Sequence, residues 1–326
     1  MTYHRQQGAA LISVLLMFAI ITILATQLIT RSQADIERTR WLVTEAQAYQ
    51  YALGGEALAR QVLWQQQANL KAEGINISPI PNLLPKYQPE QGQMAIEIID
   101  LQGRINLNNA LNSDTRHSPI SRIFNDLLLK PDLNQSLSDW LDSDMTPLTG
   151  GAEDFHYLAL EVPYRTGNQA LASSSELMTL FDMPVDEFPV LRPYITALKQ
   201  PTPININTAP EMVLSLINAN LSGQQVAGYR DSHPSGYSSV EEFLTADVMA
   251  GVNIDHKLLT VTSTNYAVKI KTTINDRTLW LFSRLNLDSS TGDIALNART
   301  VGERFIVNTT DINKENQDDT ATKPLF

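Results

Sequence analysis

The stretch that decides the architecture is Ala9–Ile29, AALISVLLMFAIITILATQLI, twenty-one residues without a charge. As a helix rising about 1.5 Å per residue it spans roughly 31 Å, close to the ~30 Å hydrocarbon core of a bilayer. Its polar members, Ser13, Thr22, Thr26 and Gln27, are types a membrane helix tolerates. A short leader with Arg5 precedes it, and Arg31, Arg38 and Arg40 follow it among acids. The helical pattern does not stop there. Residues 31–73 hold no proline and are rich in Ala, Gln, Glu, Arg and Leu, all good helix formers. Leu42, Ala46, Tyr49, Leu53 and Ala57 recur at a spacing that predicts one packed face. Gly54-Gly55 is a candidate kink.

Three readings of the N-terminus compete. A secretory signal has an apolar region of only about 7–15 residues and a small-x-small cleavage site, and neither is present. A plain single-pass anchor is the second, with positive charge on both sides leaving its orientation poorly specified. The third is a prepilin signal, in which the cut falls before the apolar helix and the helix is kept. Arg5-Gln6-Gln7-Gly8 followed by Ala9-Ala10-Leu11 fits it, because glycine lets the backbone enter a protease site closely.

Composition narrows the function. The 326 residues carry 24 Lys+Arg against 35 Asp+Glu, a net charge of -11. A surface of that sign repels phosphate and disfavours general nucleic-acid binding. The absence of cysteine excludes disulfides, thiolate catalysis and Cys-ligated zinc. The five histidines are scattered, with no H-E-x-x-H and no glycine-rich phosphate loop, and Ser173-Ser174-Ser175 lacks a nucleophile-elbow context. No catalytic function is expected.

Beyond the long helix, four prolines in residues 74–92 predict a connector. Residues 93–101 read as a strand. Strands are also expected at 258–264, 266–274, 278–287 and 293–299, with Asn275-Asp276-Arg277 as a hairpin turn. Between them the pattern is helical: Ile120–Leu129, Ser136–Leu141, Ser174–Phe181, Val185–Ala197, Pro210–Ile217, Gln224–Asp231 and Val240–Thr245. The expected fold is α+β: a pilin-like long N-terminal helix packed on an antiparallel sheet, with a large all-helical domain inserted between strands. The expected divisions are leader 1–8, membrane half 9–30, amphipathic helix 31–73, sheet 74–105 and 257–307, inserted domain 106–256 and a disordered tail 308–326. Asn106-Leu107-Asn108-Asn109-Ala110 and Asn205-Ile206-Asn207-Thr208-Ala209 look like two related helix entries, with Asn as the cap. They suggest two helix-hairpin-helix-like subdomains.

Two constellations could carry function. The segment from Ile204 through Arg230 to Phe243 is similar to helix-hairpin-helix DNA-binding domains, which hold phosphates on backbone N–H groups. Its hairpin, Asn218-Ala219-Asn220-Leu221-Ser222-Gly223, lacks Pro-Gly-Ile-Gly and has few cations beside it, so a helical fold kept for protein contacts is the preferred reading. A membrane-anchored DNA-binding protein is the alternative. The second is Asp139, Asp142, Asp144, Glu153 and Asp154, five carboxylates in sixteen residues with Pro147 and Gly150-Gly151 between them. Carboxylates this close raise one another's pKa unless a cation offsets the repulsion. Oxygen ligands on a flexible loop suit Ca²⁺, and a solvated acidic loop is the other reading.

In their order, Gly8-Ala9 before the apolar helix, Gly103-Arg104-Ile105-Asn106-Leu107-Asn108-Asn109, Asp139-Trp140-Leu141-Asp142 through Gly151-Ala152-Glu153-Asp154, and Ile204-Asn205-Ile206-Asn207-Thr208-Ala209 resemble the type II secretion minor pseudopilin K family. The resemblance covers about residues 1–300. It implies a pseudopilin with a helical insertion at the tip of a periplasmic pseudopilus, beside minor pseudopilins I and J, on an inner-membrane assembly platform, supporting export of folded proteins. It implies an inner-membrane anchor through residues 9–29 and a periplasmic bulk. A prepilin peptidase would cut between Gly8 and Ala9 and methylate Ala9. Calcium would sit in the insertion, with Asp142, Asp144, Glu153 and Asp154 as ligands. Most pilins carry Glu five residues into the mature chain; here that position is Ser13. A buried carboxylate without a partner is costly in lipid, so its omission suits a subunit with no neighbour ahead of it.

Overall fold

The computed structural model describes residues 7–73, 84, 86–89, 91–112, 118–128, 130, 132–233, 235–275 and 277–302. Most of the leader and the expected tail lie outside them. Helix α1 runs from Gln7 to Glu73 as one 67-residue element. Every residue from Leu11 to Val43 is exposed, and the first buried side chain after them is Ala48.

The packed face of α1 is Ala48, Ala52, Gly55, Glu56, Ala59 and Leu63. This corrects the expected face: Leu42, Ala46 and Ala57 are exposed, and Tyr49 and Leu53 flank the contact. The face is built from small residues because the helix lies close to a sheet. A Cβ on Gly55 would come within 2.8 Å of the Met94 sulfur and 3.1 Å of Ile270. Gly55 therefore serves close approach, and helical assignment continues through it.

After the helix come β1 (Gln93–Asp100) and β2 (Ile105–Asn106), then α2 (Pro119–Leu128), α3 (Leu133–Leu141), α4 (Asp154–Leu158) and α5 (Phe188–Leu191). β3 (Ile195–Thr196), β4 (Ile204–Asn205), α6 (Glu211–Ile217), α7 (Gly223–Ser232), α8 (Val240–Thr245) and β5 (Leu259–Thr260) follow. The chain closes with β6 (Asn265–Ile274), β7 (Arg277–Leu287) and β8 (Ile294–Val301). One antiparallel sheet has the order β1-β6-β7-β8. Its period-2 alternation places Met94, Ile96, Ile98, Val268, Ile270, Leu281 and Leu285 against α1.

The insertion enters after Asp100 and leaves at Asn265, and it has a hydrophobic core of its own, centred on Ile123, Phe124, Leu137, Tyr157, Val213 and Phe243. It is not all-helical. β2 pairs with β3 and β4 with β5, both in parallel. The strand expected at 258–264 is only Leu259–Thr260, and it belongs to the insertion. The helix expected at Val185–Ala197 is a 3₁₀ turn and one short helix. Pro193 bars its continuation, and Ile195–Thr196 is extended. The expected helix from Ser174 is a 3₁₀ helix ending at Thr179.

The register fixes which end of the sheet carries the insertion. The Arg277 guanidinium sits 5.8 Å over the Trp41 ring, and Gln67 Nε2 donates to the Ser289 carbonyl. So α1 and β7 run the same way. Twenty-six helical residues at 1.5 Å and twelve strand residues at 3.3 Å both come to about 40 Å. Asp100 pairs with Tyr266, which pairs with Leu285. The insertion thus lies at the end of the sheet farthest from the exposed apolar half of α1.

One buried ion pair clamps helix to sheet. Glu56 is 3% exposed. Arg299 on β8 donates to both of its oxygens at 2.8 Å, Ser283 Oγ donates at 2.6 Å, and Arg60 donates at 2.9 Å. Burial pushes the Glu56 carboxyl up, but the hydrogen bonds from Arg299 and Ser283 and the charges of Arg299 and Arg60 outweigh it and hold it below its usual range. Removing one partner of a buried pair costs about 3 kcal/mol. Arg299→Met should therefore lower unfolding free energy by about that amount in urea titrations of residues 32–326. With its main partner gone, Glu56 should be left to burial, its carboxyl should rise, and the loss of stability that acid causes through this group in the parent should shrink or reverse. Glu56→Met combined with Arg299→Met should recover most of the loss.

Candidate functional site

The acidic loop connects α3 to α4. Helix α3 is nearly all buried, from Leu133 to Leu141, and the Asp142 amide closes it by donating to the Ser138 carbonyl at 3.0 Å. Trp140 packs edge-on against Tyr157 of α4 at 5.2 Å and against Tyr164 at 6.4 Å. These rings hold the two helix ends together, so that carboxylates eleven residues apart in the chain converge. The loop turns through Gly150, at φ 85°, where a side chain would be strained. A Cβ on Gly151 would collide with the Asp139 carboxylate.

Oxygens of Asp142, Asp144 and Glu153 all lie within 4.8 Å of one another. Glu153 is 1% exposed, and neither of its oxygens accepts a hydrogen bond. One Asp142 oxygen is likewise buried and unpartnered. Such oxygens are costly unless a proton or a cation meets them. Burial, followed by the charges of Asp139, Asp142 and Asp144, pushes the Glu153 carboxyl from 4.5 to about 7. Burial and the Asp144 charge raise Asp142 as well. This is the electrostatic pattern of a site that lacks a positive charge.

Asp154 does not face the cluster. Its Oδ1 accepts from the Thr166 amide and hydroxyl at 2.9 and 2.8 Å, and its Oδ2 faces Arg165 at 3.4 Å. Those hydrogen bonds hold its carboxyl below the ordinary range. Its work is to anchor the following loop. Asp139 is the member that spacing alone undervalued. It is fully buried, accepts from the Leu148 amide, and is raised first by burial. Its place one helical turn before Asp142 was the available signal.

The helix-hairpin-helix-like segment is turned inward. Arg230 donates to the Ile206 and Ala209 carbonyls at 3.1 and 2.7 Å, so it offers nothing to a phosphate. Gly223 is needed because a Cβ there would strike the Glu211 carbonyl. Of the asparagines at the two expected helix entries, Asn106 does cap the 3₁₀ helix Leu107–Asn112, accepting from the Asn108 amide, while Asn108 and Asn207 bind loops. Asn108 brackets Leu171, accepting from its amide and donating to its carbonyl, and also donates to the Leu198 carbonyl. Asn207 brackets Tyr237 in the same way. Asn106 and Asn205 each accept from the amide two residues on. The processing pair, Gly8-Ala9, lies in the first turn of α1.

A family model described as type II secretion system (T2SS), protein K, matches residues 103–200. The chain is 31% identical to type II secretion system protein K of Pseudomonas aeruginosa over 317 residues, covering 91% of this chain and 93% of the relative. It is 32% identical to the Klebsiella pneumoniae protein of the same description over 263 residues, 74% and 80% of the two chains. Its fold is similar to a chain in the crystal structure of the GspK-GspI-GspJ complex from enterotoxigenic Escherichia coli, with TM-score 0.69 and 24% identity, over 82% of this chain and 99% of that one.

The carboxylate cluster gives a signed pH dependence. With Glu153 raised in the folded state, the native protein holds a proton that the unfolded chain releases near 4.5. In metal-free buffer, stability should fall as pH rises from about 4.5 to about 7. Glu153→Gln should flatten that slope and be the more stable protein at pH 8, read by thermal unfolding of metal-free samples across the range.

Proposed function

Because the chain belongs to the type II secretion system protein K family, we propose that this minor pseudopilin caps the tip of the pseudopilus, where it nucleates assembly in the periplasm and supports export of folded proteins. The observation that carries the reading is the division of α1. Its apolar third is wholly exposed, as a membrane or a bundle of like helices requires, and its last third is packed on the sheet. The insertion supports the tip position by its place. It extends from the sheet end remote from the apolar helix, where a further subunit in a stack would have to sit. Ser13 supports it too, since no carboxylate waits there for a neighbour's amine. The role is structural rather than catalytic. Pseudopilins I and J are the partners it would meet, a reading supported by its likeness to a chain of the GspK-GspI-GspJ complex. Anchorage is in the inner membrane through residues 9–29.

Calcium fits the acidic loop. Ca²⁺–oxygen distances of 2.3–2.6 Å put opposite ligands about 5 Å apart, against the 4.8 Å span of Asp142, Asp144 and Glu153. The unpartnered oxygens of Glu153 and Asp142 are what such an ion would satisfy. These three residues would hold it, and its charge would tie the end of α3 to the start of α4. Asp139 positions the loop through the Leu148 amide. Asp154, expected among the ligands, is committed to Thr166.

Two experiments test these readings. Mass analysis of the chain from membranes containing a prepilin peptidase should find an N-methylated Ala9 start. A chain beginning at Met1 or near residue 30 would remove the pseudopilin processing. Added calcium at about one hundred times its dissociation constant should stabilise the protein by about 2.7 kcal/mol. Asp142→Asn and Glu153→Gln should abolish that gain, and Asp154→Asn should keep it.

A further inference from the structure

A cleft of about 750 Å³ lies between the insertion and the face of the sheet turned away from α1. Its sheet side carries Ile99, Lys269, Phe282 and Arg284, and its insertion side carries Arg104 and Arg192. Ser173, Ser174 and Ser175 also line it. Four cations thus converge in a protein whose net charge is -11.

Lys269 and Arg284 have partners within the chain. Lys269 faces Glu97 at 3.6 Å, and Arg284 donates to the Ala172 carbonyl at 2.7 Å. Glu176, the acid near Arg284, already accepts from the Ala172 and Ser173 amides. Among the described residues, the Arg104 guanidinium makes no hydrogen bond and no ion pair, and Arg192 is a second positive charge beside it. Burial, the largest influence, pulls the Arg104 pKa down to about 10. A half-buried guanidinium that opens on a cleft and meets no acceptor among the described residues has its donors available to an anion that enters. Its planar fork matches an oxyanion held through two parallel hydrogen bonds.

Size and lining select among oxyanions. The cleft is in the range of ligand pockets, about 300–1,000 Å³, and far exceeds a single ion. Met178, Phe188 and Phe282 give it apolar walls beside the cations. We propose that this cleft binds a carboxylate-bearing peptide segment with apolar flanks, the carboxylate held by Arg104 with Arg192 and the flanks seated on Phe188 and Phe282. The site is independent of the calcium loop and of the tip assignment.

The test uses the full chain in detergent micelles and a synthetic probe, acetyl-Phe-Asp-Phe-Asp-amide, with the Asn-for-Asp peptide as control, followed by ligand-observed NMR. The acidic peptide should bind at least tenfold more tightly than the control, the range expected for charge-assisted hydrogen bonds. Arg104→Met should erase that preference. If Arg104→Met does not accumulate as folded protein, Arg192→Met provides the same comparison. Equal binding of the two peptides would overturn the proposal, as would a preference that survives both substitutions. Displacement of the acidic peptide by inorganic phosphate at equal concentration would also overturn it, showing a simple oxyanion site instead.

Discussion

The architecture depends on how a chain can leave a sheet and return to it without opening it. Asp100, the last residue of β1, solves this with one carboxylate that accepts four hydrogen bonds. Its Oδ2 accepts from Ser263 Oγ and Thr208 Oγ1 at 2.6 Å and from Asn205 Nδ2 at 3.1 Å, and its Oδ1 accepts from the Gln102 amide at 2.8 Å. Gln102 Oε1 in turn accepts from the Thr264 amide and from Asn265 Nδ2. Exit, re-entry and the Asn205–Thr208 turn of the insertion meet at one polar knot. Burial keeps the Asp100 carboxyl above its usual pKa even with these donors, so the knot specifies geometry more than it stabilises. Gly103 completes it, since a Cβ there would press on the Thr208 carbonyl at 2.9 Å. The two cores on either side of the knot remain separate.

Much of this plan is legible in the residues. The uncharged run at 9–29, the proline-free helix behind it and the alternating strands 266–274 and 278–287 carry periodicities that tertiary contacts merely fix. What escaped was decided by distance. The packed face of α1 lies on Ala48, Ala52, Gly55 and Ala59 because the sheet comes close, and the alanines Ala46, Ala48, Ala52, Ala57 and Ala59 let the spacing fit more than one face. The two-residue strands at Ile105, Ile195, Ile204 and Leu259 are too short for any alternation to appear. Their parallel partners are up to 90 residues away in the chain. Asparagine suggested helix capping, which Asn106 performs for Leu107–Asn112, while Asn108 and Asn207 bracket distant loops, a use that needs the fold to exist first.

The acidic loop shows the same limit. Five carboxylates near two glycines are visible in sequence, and their mutual repulsion is a sound reason to expect a cation. Which of them converge is settled by the Trp140–Tyr157–Tyr164 packing, which aims Glu153 at Asp142 and turns Asp154 toward Thr166. The basic cleft was not legible at all. Arg104, Arg192, Lys269 and Arg284 are spread over 180 residues, and only the seating of the insertion on the outer face of the sheet gathers them.

The parallel course of α1 and β7, marked by Trp41 with Arg277 at one end and Gln67 with Ser289 at the other, has a mechanical consequence. A push delivered along the helix axis reaches the sheet through the Ala-lined contact and the Glu56 fork, and it is directed along the strands. It loads the ten residue pairs joining β6 to β7 in shear, all together, instead of peeling them one by one. The same thrust arrives at the strand ends where the insertion is rooted, so the head is driven forward as a rigid load by a rod that bears on it lengthwise.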